Sequence, residues 1–235
     1  MFKKFNSGSQ VKTTQGLRNY LSEYMQELEN GQQDPFDFFV GLDLAPYTDK
    51  ESILNPLSIF TKSVMTCSSD QRHSSSSYQP DPEFYVTINL PKDNETIADI
   101  IEREFQEGTL IDGWRCSICS SQGGLKRKMI QEGLMPKFIL VKVRRTERDE
   151  HGRTKKLNKE ITPPLGFTIT TEDNNVYAYS LCGVLTHIGH GMNSGHYIVD
   201  VRRDGQWWRC NDENIAKTSL EKLSRSGYGF LFEQM

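Results

Sequence analysis

The most restrictive feature of this 235-residue chain is the stretch GMNSGHYIVDVRRDGQWWRCND, residues 191–212, in which two strand-like runs flank Asp204-Gly205. Asp-Gly between alternating runs is a strong signal for a two-residue hairpin turn, because both central positions favour left-handed backbone. The turn fixes a register: if Arg203 faces Gln206, opposed residue numbers sum to 409, so Asn211 faces Ile198 and Asp212 faces Tyr197. Side chains alternate along a strand, so His196 and Ile198 share a face and Asn211 joins them one diagonal step from His196. Asp212 is expected to point the other way.

An amide oxygen holding one ring nitrogen fixes the tautomer of a histidine that acts as a general base. The spacing leaves two readings open: a catalytic pair, or a strand histidine satisfied by its neighbour. Gly189, Gly191 and Gly195 allow an irregular loop to approach a ligand closely just before the histidine.

Elsewhere the hydrophobic pattern switches from a helical period to an alternating one. Leu17, Leu21, Tyr24, Met25 and Leu28 predict an amphipathic helix over residues 15–29. Asp34 is placed to cap a second helix, with Pro35 in its first turn and Phe38, Phe39 and Leu42 as its buried stripe. Phe84, Val86, Ile88 and Leu90 alternate as a strand does. Asn94 is the expected cap of a further helix carrying Ile97, Ile100, Ile101 and Phe105 and stopping at Gly108. Strands then dominate: residues 138–143, 176–188 and 228–232. The segment RHSSSSYQPDP, residues 72–82, reads as a flexible loop. Both kinds of element in unalternated blocks predict an α+β domain with helices first and an antiparallel sheet behind.

Composition narrows the setting. No apolar run approaches the ~20 residues of a membrane helix or the ~7–15 of a secretory signal core. Five unevenly spread cysteines suit reduced thiols or metal ligands better than a disulfide framework, so the expected location is intracellular. Residues 126–159 hold twelve basic against four acidic side chains, a net of +8 in a chain whose total is −3. We read this strip as a solvated hairpin; it lacks the interleaved aromatics of a nucleic-acid stacking surface, and the acidic remainder opposes phosphate. Cys116 and Cys119 form a zinc half-site. Its partner half, Cys67-Ser-Ser-Asp70, supplies one thiol and a carboxylate, with His73 as a further candidate fourth ligand, or the hairpin packs without metal.

The run YSLCGVLTHIGHGMNSGHYIVDV with WWRCND resembles the histidine box of the ubiquitin-specific proteases, papain-like cysteine peptidases that remove ubiquitin. GQQDPFDFF resembles their glutamine-aspartate box; MPKFILVKVRR, GRTKKLNKEITPP and YGFLFEQ resemble later strands, all in family order. The resemblance implies a papain-like fold with a partial thumb at residues 15–45 after a flexible stretch 1–14, and fingers and an antiparallel-sheet palm at 46–235. It implies catalytic roles for His196 and Asn211, support from Asp212, and a ubiquitin-tail channel lined by Gly195 and Tyr197. It also implies a fingers metal site, for which Cys67, Asp70, Cys116 and Cys119 are the matching positions; catalysis requires no cofactor, and zinc is structural. Ubiquitin or a ubiquitin conjugate is the implied partner. The family's nucleophile box, Gly-Asn-Thr-Cys-Tyr in type, is not among these residues. Cys182 and Cys210 are expected to be small core hydrophobes. The chain by itself is therefore expected to be inactive, either the C-terminal part of a deubiquitinase or a ubiquitin-binding scaffold.

Overall fold

The computed structural model describes residues 34–44, 54–131, 133–171, 173–189 and 194–235. The expected segment 1–14, the expected helix 15–29 and Gly191 lie outside them. In chain order the elements are α1 (Asp37–Leu44), a 3₁₀ turn (Asn55–Leu57), β1 (Thr61–Cys67), β2 (Ser74–Tyr78), β3 (Val86–Asn89) and α2 (Ile97–Glu102), which widens into a π turn (Arg103–Glu107). There follow β4 (Thr109–Arg115), β5 (Gln122–Ile130), β6 (Phe138–Arg144), β7 (Thr146–Arg148), β8 (Thr154–Lys156), β9 (Gly166–Thr170) and β10 (Val176–Ile188). The chain closes with β11 (His196–Arg203), β12 (Gln206–Asn211), β13 (Asn214–Thr218), a 3₁₀ turn (Leu220–Lys222) and β14 (Gly227–Gln234).

These strands build a four-stranded sheet in the order β2-β1-β5-β4, an eight-stranded sheet in the order β13-β12-β11-β10-β14-β6-β3 with β9 also on β10, and the small hairpin β7-β8. Pairing is antiparallel except between β3 and β6, which run parallel. β10 is the spine of the larger sheet: its thirteen residues pair with β9, β14 and β11 in turn. Among the described residues no helix is long and apolar enough to cross a membrane.

The core lies where α2 packs on the larger sheet. Ile97, Ile100, Ile101 and Phe105 share one buried cluster with Ile139, Val141 and Val143 of β6 and with Phe167, Phe230 and Phe232. Phe167 stacks on Tyr179 at 5.5 Å and meets Phe232 edge-on at 4.8 Å. Tyr179 is 1% exposed, and its hydroxyl donates to the Pro136 carbonyl, so the buried polar end is satisfied. The π turn after α2 leans on β5, whose Ile130 joins the same cluster, tying the two large sheets together.

Four local expectations are corrected. Thr96, not Asn94, caps α2: Thr96 and Asp99 exchange hydrogen bonds as a capping box, whereas Asn94 sits in left-handed backbone (φ 67°) in the preceding turn. Helix α1 buries Phe36, just ahead of its first turn, while Phe38 and Phe39 are half-buried; the Leu42 side chain lies outside the description. The serine-rich loop contains β2, an exposed edge strand on β1, since an edge needs only a backbone ladder and its side chains stay in water. The basic strip is not one solvated hairpin. It is distributed over β5, β6 and β7-β8, and Arg145 is 4% exposed, its guanidinium donating to the carbonyls of Gly227, Leu157, Lys159 and Arg225.

Phe230 is fully enclosed, and its truncation opens a cavity between the sheet and α2. Phe230→Ala is expected to lower unfolding free energy by about 3–5 kcal/mol in urea titration. Ser76→Ala on the exposed edge strand should change it by no more than about 0.5 kcal/mol.

Candidate active site

The β11-β12 turn adopts the left-handed conformation that Asp-Gly favours, with φ 51° at Asp204 and 74° at Gly205. The pairs Arg203↔Gln206, Val201↔Trp208 and Val199↔Cys210 follow the expected register. His196, the first residue of β11, pairs with Ile188 of β10. Its Nε2 lies 2.5 Å from Asn211 Oδ1. Because that oxygen only accepts, the ring proton resides on Nε2 and the Nδ1 lone pair is left available as a base.

Asp212 departs from the expectation that it points away. β12 ends at Asn211, and Asp212 takes φ 51° in the two-residue turn into β13. That turn breaks the strand's alternation and returns the carboxylate to 3.7 Å from His196 Nε2. An amide acceptor and a carboxylate thus stand on one side of the ring, beside Nε2. His196 is half-buried, and Asn211 and Asp212 are exposed, so the ring is held at a rim open to another molecule.

Gly195 has a steric reason to lack a side chain: a Cβ there would lie 2.2 Å from His187 Nε2 and 2.5 Å from the Ile188 carbonyl oxygen. Sequence reasoning passed over His187. The signal was available, since the Ile188↔His196 pairing puts His187 beside Tyr197, and their rings lie 4.7 Å apart. Lys156 Nζ donates to His187 Nδ1 (3.1 Å) and to the carbonyls of His187 and Gly189. His187 is therefore neutral, and burial, then the adjacent Lys156 charge, holds its pKa below the usual histidine value.

Asp34 does more than start a helix. Its Oδ1 accepts from the Phe36 backbone (3.0 Å), while Oδ2 accepts from Lys142 Nζ and the Tyr228 hydroxyl, each at 2.5 Å. One carboxylate thus binds α1 to β6 and β14. Phe36 sits edge-on to Tyr85 and Tyr228, and the Lys142 ammonium lies 5.0 Å from its ring centre. Burial, then the Asp34 charge, pushes the Tyr197 hydroxyl up to about 12 and raises Tyr228 further.

A second cluster forms where β1 ends and β4 turns into β5. The ligand atoms of Cys67, His73, Cys116 and Cys119 all lie within 4.8 Å of one another. Cys67 Sγ is 3.6 Å from Cys119 Sγ, and Cys116 Sγ is 3.9 Å from His73 Nδ1. Tetrahedral zinc with bonds of about 2.0–2.3 Å requires ligand separations of roughly 3.6–3.8 Å, so the set fits a structural metal ion. The fourth member is His73, not Asp70. The Asp70 carboxylate is occupied by a forked pair with Arg72 (3.0 and 2.7 Å) and lies 3.7 Å from His73 Nε2, on the far side of the imidazole. Hydrogen bonding with Ser121, with support from His73, draws the Cys119 thiol down to about 6, while burial raises Cys67.

The other two thiols are elsewhere. Cys182 is 7% exposed, directed at the Leu231 carbonyl and pushed up to about 11 by burial. Cys210 precedes Asn211 on β12 and so occupies the opposite face. None of the five cysteines is a partner of His196.

The family model described as ubiquitin carboxyl-terminal hydrolase matches residues 1–232. Ubiquitin hydrolase B of Dictyostelium discoideum is 26% identical over 184 residues, covering 76% of this chain and 40% of that protein. Ubiquitin carboxyl-terminal hydrolase 4 of Arabidopsis thaliana is 34% identical over 140 residues, covering 57% of this chain and 38% of that protein. Among solved structures, the SAGA Ubp8/Sgf11/Sus1/Sgf73 DUB module bound to ubiquitin aldehyde superposes with a TM-score of 0.75 at 21% identity, over 97% of this chain and 56% of that one. The chain thus spans less than two thirds of the length of each. With its α+β papain-like architecture, the chain belongs to the ubiquitin carboxyl-terminal hydrolase family.

Proposed function

We propose that this chain supplies the histidine–asparagine half of a thiol-dependent deubiquitinating site and the surface that receives ubiquitin. The observation that carries this reading is the 2.5 Å contact between His196 Nε2 and Asn211 Oδ1, which leaves Nδ1 as the basic nitrogen. In the complete reaction, Nδ1 takes the proton of a cysteine thiol, and the thiolate attacks the carbonyl carbon of ubiquitin's terminal glycine. The imidazolium, steadied by Asn211 and Asp212, returns that proton to the departing lysine amine. Water, deprotonated by the same nitrogen, then hydrolyses the thioester and releases the ubiquitin carboxylate and the free thiol. Gly195 and Tyr197 line the approach of the ubiquitin tail. The four-stranded sheet serves as fingers, the eight-stranded sheet as palm and α1 as part of the thumb. Reactive thiols of this kind belong in a reducing, intracellular compartment.

The thiolate is the part these 235 residues do not place beside His196, since three cysteines stand in the metal cluster, one is buried and one is on the wrong face. We infer that the chain by itself binds ubiquitin without hydrolysing conjugates. A ubiquitin bearing a C-terminal electrophile is expected to leave it unlabelled while ubiquitin binds measurably in calorimetry; labelling of Cys182 or Cys210 would refute this. Joined to a segment that provides the cysteine, it should cleave a fluorogenic ubiquitin amide, and His196→Ala should lower kcat by about 10²–10⁴-fold.

For the metal cluster we propose a structural zinc ion on Cys67, His73, Cys116 and Cys119, with Asp70 orienting the histidine from behind. Bound zinc would cross-link two hairpin ends and take no part in catalysis. Elemental analysis of purified protein should find one zinc per chain. His73→Ala should lose it, whereas Asp70→Ala should keep it with affinity weakened about 10–100-fold; zinc-free unmutated protein would overturn the assignment.

A further inference from the structure

A cavity of about 480 Å³ opens beside Ile188 and Gly189 at the end of β10, and its walls are cationic. Arg145, Lys156, Arg209 and Lys222 all line it. Among the described residues, only Arg209 of these four forms a salt bridge, to Asp200, which it grips at 2.8 and 2.9 Å. Arg145 is 4% exposed and spends its donors on neutral carbonyls, and Lys156 likewise donates to two carbonyls and an imidazole. Dipoles satisfy these groups as donors but leave their charge uncancelled, so four cations face one carboxylate, a net of +3 around the cavity.

The second observation is independent of charge. Thr186, 3% exposed, lines the same cavity, and its hydroxyl has no hydrogen-bond partner among the described residues. A buried hydroxyl without a partner is destabilising, and a ligand oxygen can relieve that cost. Ser224 and Ser226 add further small polar side chains to the wall. Uncancelled positive charge beside an unpaired buried hydroxyl describes a site for an oxyanion. The volume exceeds what a bare phosphate fills and lies within the range of ligand pockets, roughly 300–1,000 Å³. Ile188, Ile198 and Leu157 offer apolar wall to whatever the anion is attached to.

We propose that this cavity binds a phosphate-class oxyanion, with Arg145, Lys156 and Lys222 providing charge and Thr186 a hydroxyl donor. The site is separate from the His196–Asn211 pair, and the inference does not depend on ubiquitin chemistry. Lys156 also holds the carbonyls of His187 and Gly189, so an anion here acts on the end of β10 that pairs with His196.

Calorimetric titration of the full chain with inorganic phosphate and with phenyl phosphate, in chloride buffer of constant ionic strength, tests this. Saturable one-to-one binding is expected. Tighter binding of phenyl phosphate would assign the site to an organic phosphate, and equal binding to the free ion. Lys222→Glu, a change at an exposed side chain, should weaken affinity at least tenfold, and Thr186→Val, which keeps the side-chain shape, about threefold. Circular dichroism confirms that both variants fold. Absence of saturable heat from both probes, or unchanged affinity in folded Lys222→Glu, would overturn the proposal.

Discussion

Two residues in left-handed backbone, Asp204 and Gly205, decide which side chains meet at the rim of the larger sheet. Because a strand repeats every two residues, slipping β12 by one position against β11 would turn Asn211 away from His196. The same slip would separate Arg209 from Asp200, a carboxylate with no exposed surface, and would bring Trp207 out of the core. Leaving a buried charge unpaired costs several kcal/mol. The hydrogen bond at the site is thus maintained by interactions several residues away, and the turn, the buried ion pair and the tryptophan all enforce one register.

Much of this was legible from local pattern. β10 occupies the thirteen residues that its composition marks, and the histidine–asparagine contact follows from arithmetic on a two-residue turn. Features set by competition between neighbours were not legible. Position 70 has the right chemistry for a ligand, yet Arg72, two residues on, claims its carboxylate and leaves His73 to enter the cluster. Asp212 obeys strand alternation only until the strand stops, and the stop is a backbone event. Asp34 is readable as a helix start, but its bonds to Lys142 and Tyr228 span 108 and 194 positions and leave no local trace.

The two large sheets divide the labour. In the eight-stranded sheet, apolar burial against α2 fixes the backbone from which His196, Asn211 and the cationic cavity are presented. The four-stranded sheet has little such burial: β4 is largely exposed and β2 wholly so. Its order has to come from elsewhere, and the Cys67, His73, Cys116 and Cys119 cluster sits at the end remote from Ile130, where the apolar core gives no support. The sheet thus meets the apolar core at one end and carries three thiols and an imidazole at the other.

Among the described residues strand β2 forms one margin of that sheet, and four of its five residues are serine. Exposed backbone ladders invite sticking between molecules, and proteins blunt the risk by keeping such margins short and free of greasy side chains. Here hydroxyl groups compete with any foreign strand for the backbone and return almost no apolar area to an aggregate. The run that looks most like featureless filler is therefore the molecule's safeguard against forming fibres through its thinnest part.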